Sequence, residues 1–200
     1  MNKVVDKVCV AMLELLKVKE YEKISIADLV SAAGINRSSY YYHFYDKGEV
    51  VDMIIKDICN EIVLPDKQYL NNGIIDKDAM NRKRIDEFES YKKNFDRIKI
   101  LYRAGFSGAF QDRLEAKMLE DRQKYEYIFI NNDGEEERID SGIKYNIKIR
   151  NEVACAIAQL KLYVEYGFAI SADKFLDEVN KLGGYHFKEA SHKRVKRILD

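Results

Sequence analysis

The sequence predicts an all-α protein in two parts, a small N-terminal head of three helices and a larger helical C-terminal domain. Three observations carry this. The 200 residues contain a single proline, so few positions break a helix. Apolar residues recur at three- and four-residue spacing through most of the chain. One stretch, Ser25 to Phe44, reads helix, tight turn, helix, with its capping residues in place.

Residues 2 to 17 make the first helix, with Val5, Val8, Met12 and Leu15 on its buried face. Lys19 to Lys23 connect it onward, and Tyr21 is expected to pack beneath the next two helices. Ser25 stands where an N-cap belongs, with Asp28 three residues on, a capping-box spacing. Ile24, Ile26, Leu29 and Val30 supply the apolar face, and Gly34 follows where a helix end wants positive φ. Asn36 caps a second short helix opening Arg37-Ser38-Ser39. Tyr40 and Phe44 are expected to point inward.

Asp46 and Glu49 form a second capping box. Lys47 then sits in the first turn of a fourth helix, where the helix dipole disfavours a cation. Gly48 weakens that turn by up to ~1 kcal/mol, and would permit close approach of another backbone. Val50, Ile54, Ile58 and Ile62 form the buried stripe, and Pro65 stops the helix after Leu64. Residues 65 to 77, with Pro65, Asn71, Asn72 and Gly73, mark a boundary, giving domains 1–62 and 63–200.

Beyond it the periodicity predicts helices at about 78 to 104, 107 to 129, 143 to 169 and 172 to 182. The third carries Val153, Ile157, Leu160, Val164 and Phe168, with Ala154, Ala156 and Ala158 leaving room for close helix approach. In the fourth, Phe175, Leu176, Val179 and Leu182 are the buried positions, and Gly183-Gly184 ends it. Asn131 to Arg138, NNDGEEER, reads as a solvated acidic loop, and the basic tail from Tyr185 to Asp200 as a short helix or a frayed end.

Composition narrows the function classes. Hydrophobic content of 46% suffices for a core, yet no apolar run approaches the ~20 residues of a membrane span. Cys9, Cys59 and Cys155 are odd in number and far apart, as in a reduced cytoplasmic protein without a disulfide framework. Asp6, Lys7 and Glu14 interrupt the N-terminal apolar residues, unlike a signal peptide. No glycine-rich phosphate loop or nucleophile elbow occurs. His43 lies in the short helix and His186 and His192 in the tail, so neither a catalytic site, nor a metal site, nor a cofactor is expected. Lys+Arg and Asp+Glu both total 34. Residues 1 to 50 also balance, seven basic against seven acidic, so any positive footprint is local, at Arg37 and Lys47.

A helix-turn-helix sets its second helix in the DNA major groove with the N-terminal residues at base edges. Here those residues are Arg37, Ser38 and Ser39, with Tyr41, Tyr42 and His43 one turn further. Arg forks onto guanine O6 and N7, and Ser serves a base edge or a phosphate. The stretch YEKISIADLVSAAGINRSSYYYHFYDKGEVV resembles the N-terminal domain of the TetR/AcrR family of one-component transcriptional regulators. The likeness covers roughly residues 1 to 62. It rests on the spacing from Ser25 through Gly34 to Tyr41-Tyr42-His43-Phe44 and Asp46-Lys47. The remainder resembles the family only in length and helical character.

That resemblance implies a DNA-binding head and a C-terminal effector-binding and dimerisation domain. It implies a homodimer on palindromic double-stranded operator DNA, acting as a ligand-responsive repressor. Arg37, Ser38, Ser39 and Tyr42 would read base edges, while Tyr41, His43 and Lys47 would contact phosphate. Helices near 143–169 and 172–182 would form the dimer interface, or else serve only as monomer core. Lys3 would lie near DNA or stand free in solvent. A small-molecule effector is implied, with contacts that the aromatic-rich C-terminal half does not single out. The alternative is a coregulator of the same fold that acts through protein contacts.

Overall fold

A computed structural model describes residues 3–69, 74–75, 77–122, 125–130, 136–138, 142–182 and 192–197. In chain order its elements are α1 (Lys3–Leu16), α2 (Ile26–Ala33), α3 (Arg37–His43), α4 (Lys47–Ile62), β1 (Ile74–Ile75), α5 (Lys77–Lys93), α6 (Phe95–Arg103), α7 (Ser107–Arg122), β2 (Tyr125–Ile130), β3 (Glu136–Arg138), α8 (Ile143–Glu165), α9 (Ala172–Leu182) and β4 (His192–Arg197). Short 3-10 turns lie at Tyr21–Lys23 and Asp66–Gln68. Among the described residues no helix is long and apolar enough to cross a membrane.

The chain divides into two compact units. The first comprises Met1–Asn60 together with Asn94–Arg113, the second Glu61–Lys93 together with Leu114–Asp200. The return of 94–113 to the first unit has a packing cause: α1 packs against α2, α3 and α6. Ile98 and Leu101 of α6 bury in that unit, and the Phe106 ring meets Tyr21 edge-on at 4.9 Å.

The first unit follows its apolar pattern closely. Val5, Val8 and Met12 of α1 are buried, joined by Leu13 and Leu16 in place of the expected Leu15. Val50, Ile54 and Ile58 of α4 are all 0% exposed. Each such side chain contributes about 1.5–3 kcal/mol by leaving water. The α2 capping box forms as its spacing requires: the Asp28 amide donates to Ser25 Oγ at 3.1 Å, and the Ser25 amide to Asp28 Oδ2 at 2.9 Å. Gly34 then turns the chain at φ 62°, ψ 41°, a left-handed conformation open to glycine without Cβ strain.

In the second unit α5 packs against α8 and α9. Phe88, Tyr163 and Phe175 meet pairwise with centroids 5.4, 5.5 and 4.9 Å apart, and Phe168 stands edge-on to Tyr163 at 5.0 Å. These rings are mutual core contacts, the use that helical spacing most often gives to aromatics. A charged cluster lies within the same unit. The Lys83 ammonium, on a residue 2% exposed, sits 3.5 Å from Glu87 Oε1 and 3.4 Å from Asp121 Oδ2, both buried.

Four segments depart from the expected elements. The helix expected over 78 to 104 is two, α5 and α6, separated at Asn94, whose backbone leaves the helical region (φ −90°, ψ 1°) and whose side-chain oxygen accepts from Arg97 at 2.8 Å. The helix expected to reach 129 ends at Arg122, and Tyr125–Ile130 is a strand. Glu136–Arg138, placed in an acidic loop, pairs antiparallel with it, Ile128 opposite Arg138; residues 131–135 lie outside the described set. The tail segment His192–Arg197 is a strand, pairing Tyr125↔Arg197 through Ile130↔His192, while residues 183–191 and 198–200 lie outside the described set. With Ile74↔Arg194 the sheet order is β1-β4-β2-β3. The all-α expectation therefore describes the helical framework and omits this small sheet. The physical reason is composition: Tyr-Glu-Tyr-Ile-Phe-Ile is aromatic and β-branched, and fits a pleated surface better than a helix.

Candidate nucleic-acid interface

Within the first unit α3 is held by its inward side chains. Tyr40 is 0% exposed and Phe44 2%, their rings 5.6 Å apart and tilted. The Asn36 side chain caps the helix, its Oδ1 accepting from the Ser39 amide at 2.8 Å and from the Ser38 hydroxyl at 2.7 Å. This fixes the polarity of Ser38. Its proton is committed to Asn36, so outward it offers lone pairs.

The remaining side chains of α3 face away from the core. Arg37 and Ser38 are exposed and Ser39 partly so. Tyr41 is 56% exposed and Tyr42 84%, with the His43 ring edge-on to Tyr42 at 4.9 Å. Arg37, Ser38, Ser39, Tyr41, Tyr42 and His43 thus lie on one seven-residue helix. Tyr45, 83% exposed, stands immediately beyond it. Sequence reasoning passed over Tyr45; the available signal was a large aromatic placed between two helix caps.

Lys47 is placed differently from the other candidates. Its ammonium donates to the Tyr21, Ile24 and Glu22 carbonyls at 2.8, 3.0 and 3.3 Å, and lies 4.3 Å from the Tyr21 ring centroid. The space beside Gly48, expected to admit another backbone, faces the Asp46 carboxylate: a Cβ there would meet Asp46 Oδ1 at 3.0 Å. That carboxylate caps α4 through the Gly48 and Glu49 amides at 2.7 and 3.0 Å, and Glu49 reaches back to the Tyr45 amide at 2.7 Å.

Other cations of the head are also engaged. Lys17, Lys19 and Lys23 stand 2.6, 3.1 and 2.9 Å from Glu14, Asp28 and Glu20. Arg37 is therefore the one lysine or arginine within the helix-turn-helix segment 25–44 itself.

The solved structures that match this chain share the head and its helical partner domain. A TetR transcriptional regulator from Streptococcus agalactiae superposes with a TM-score of 0.59, at 16% identity, covering 90% of this chain and 93% of that one. The fold is that of the TetR-type regulators. Two further solved structures are similar to this chain. The dihydroxyacetone kinase operon activator DhaS matches with a TM-score of 0.55 at 17% identity, over 94% of this chain and 98% of its own. NalD, the secondary repressor of the MexAB-OprM multidrug efflux pump in Pseudomonas aeruginosa, matches with a TM-score of 0.51 at 15% identity, over 90% and 94%. No family model and no curated protein matches the sequence.

The capping box of this TetR-type head carries a pH signature. The Ser25 amide and hydroxyl, then Lys19, hold the Asp28 carboxyl down from 3.8 to about 2. A depressed folded pKa gives stabilisation that is complete above 3.8 and lost as pH falls through about 2. Asp28→Asn should therefore melt below wild type at neutral pH, with the gap closing across that window in thermal unfolding followed by circular dichroism. A gap that persists at the acid end would assign the loss to packing instead.

Proposed function

We propose that the protein is a DNA-binding transcriptional regulator that acts as a homodimer on a palindromic operator and is released from it by a small-molecule effector. The observation that carries this reading is the split of α3. Tyr40 and Phe44 lock one side into the head, while Arg37, Ser38, Tyr41 and Tyr42 are left exposed on the other. Exposing such large aromatics has no folding rationale, and a major groove uses them.

In this reading Arg37, Ser38, Ser39 and Tyr42 meet base edges, and Tyr41 and His43 meet phosphates. Ser38, with its proton held by Asn36, accepts from the amino group of adenine or cytosine. The homodimer interface is proposed along α8 and α9. On α8, Ile143, Ile147 and Leu162 are exposed at 78, 55 and 40%, and Tyr166, its C-cap, at 60%. Ala154 and Ala158 lie between them, also exposed, and permit close helix approach. Charged Asp173, Lys174, Asp177, Glu178 and Lys181 are exposed on α9 and would form the polar rim.

The effector would bind in the second unit, with differential affinity for two tilts of α4. α4 spans the division between the units, so its tilt would set the separation of the two reading helices. Release from an operator that overlaps a promoter makes the protein a cytoplasmic repressor. NalD is described as a repressor and DhaS as an activator, so the sign of regulation is tested by transcription in the purified system. A coregulator working through protein contacts is the second reading, favoured by the balanced charge of residues 1 to 50.

The test is titration of a duplex selected from random sequence, read by fluorescence anisotropy. Arg37→Ala should cost about 1–3 kcal/mol and relax preference at one base position. Equal loss on every duplex would move Arg37 to the phosphate contacts, and no binding by wild type would favour the coregulator.

A further inference from the structure

Lys47 occupies the first turn of α4, where the dipole disfavours a cation, so a residue held there needs a compensating contact. The contact is internal. An ammonium has three protons, and three carbonyls converge on this one, those of Tyr21, Glu22 and Ile24. They belong to the 3-10 turn Tyr21–Lys23 and to the residue just before Ser25, the N-cap of α2. The Tyr21 ring adds its face at 4.3 Å, and the same ring meets the Phe106 ring at 4.9 Å, at the corner between α6 and α7. Gly48 leaves room for the arrangement, since a Cβ there would crowd Asp46 Oδ1 at 3.0 Å and approach the Tyr21 hydroxyl at 3.7 Å.

We infer that Lys47 is a positioning residue, not a phosphate ligand: it ties the entry of α2 to the start of α4 and so fixes the attitude in which α3 is presented. The inference rests on the DNA-binding reading above. Its consequences differ from those of a phosphate contact in three ways. Loss of a phosphate contact weakens binding to all duplexes alike and lowers the salt slope by about 0.9 per head. Loss of a positioning contact weakens the selected duplex and spares nonspecific binding. Arginine replaces lysine readily at a phosphate, but its planar fork does not fit three convergent carbonyls.

The experiment compares wild type, Lys47→Met and Lys47→Arg on the selected duplex and on an unrelated duplex, across a salt series. Methionine keeps the stem and removes the ammonium. Both variants should lose about tenfold or more on the selected duplex. Affinity for the unrelated duplex should stay within about twofold, and the salt slope should not change. Wild-type affinity in Lys47→Arg, with Lys47→Met weakening both duplexes equally and flattening the slope, would overturn the inference; so would affinity unmoved in both.

A second measurement needs no DNA. The Lys23 and Ile24 amides donate within the turn at 3.0 and 3.1 Å, and their hydrogen exchange in the free protein should quicken about tenfold in Lys47→Met. Unchanged exchange would remove the clamp. Should wild type bind no duplex while that exchange quickens, the DNA-binding reading falls and the clamp stands.

Discussion

Lys83→Ala should lower the unfolding free energy by about 3–5 kcal/mol, the usual cost of breaking a buried ionic group from one side. Lys83 is 2% exposed and stands between the Glu87 and Asp121 carboxylates at 3.5 and 3.4 Å. Truncating it leaves the two buried carboxylates without the ammonium between them. Glu87 Oε1 also accepts the Leu64 amide at 3.3 Å, so the disturbance reaches the chain just beyond α4. Urea denaturation should show a lower midpoint with an unchanged m-value. The combined change Lys83→Met, Glu87→Gln and Asp121→Asn removes the ammonium and both carboxylate charges together and should recover much of the loss. If the triple variant is no better than Lys83→Ala, packing and not charge is what the cluster supplies.

The second large effect is at Tyr40. The side chain is 0% exposed, and among the described residues its hydroxyl has no hydrogen-bond partner. Burial pushes its pKa up from 10.0 to about 12. Tyr40→Ala should cost about 3–5 kcal/mol, as large aromatic truncations do, and should free α3 from the head. Tyr40→Phe should be neutral or stabilising by about 1 kcal/mol, because it removes a buried hydroxyl that nothing pairs. Thermal melts of the two variants decide this. A substantial loss in Tyr40→Phe would show that the hydroxyl has an energetic partner.

Both cases bear on how much of the molecule could be read from its residues. The head was legible almost entirely, because its signals are local. Ser25 with Asp28, Gly34 and Asn36 each dictate a backbone geometry within a few residues, and all take it. Val50, Ile54 and Ile58 recur at helical spacing and bury together. The second unit was less legible because its deciding interactions are distant in sequence. Tyr125–Ile130 finds its partner strand in residues 192–197, and helical spacing of Tyr125, Ile128 and Phe129 concealed its β-forming composition. Asn94 divides a continuous periodic run through one side chain's choice of partner, Arg97.

The candidate interface splits along the same line. Inward Tyr40 and Phe44 against outward Tyr41 and Tyr42 follow from period alone. Lys47 does not. Its three acceptors are carbonyls more than twenty positions back, and backbone groups leave no mark in a sequence.

Everything functional depends on α3 being offered to duplex DNA by a paired molecule. The most direct measurement is selection of bound sequences from a random duplex pool by the purified protein, followed by sequencing. The account predicts enrichment of an inverted repeat whose half-sites lie about one helical turn apart, ~34–36 Å. It also predicts loss of that enrichment in Arg37→Ala. A pool that emerges unenriched from wild-type protein, or one enriched in single, unpaired sites, would contradict it.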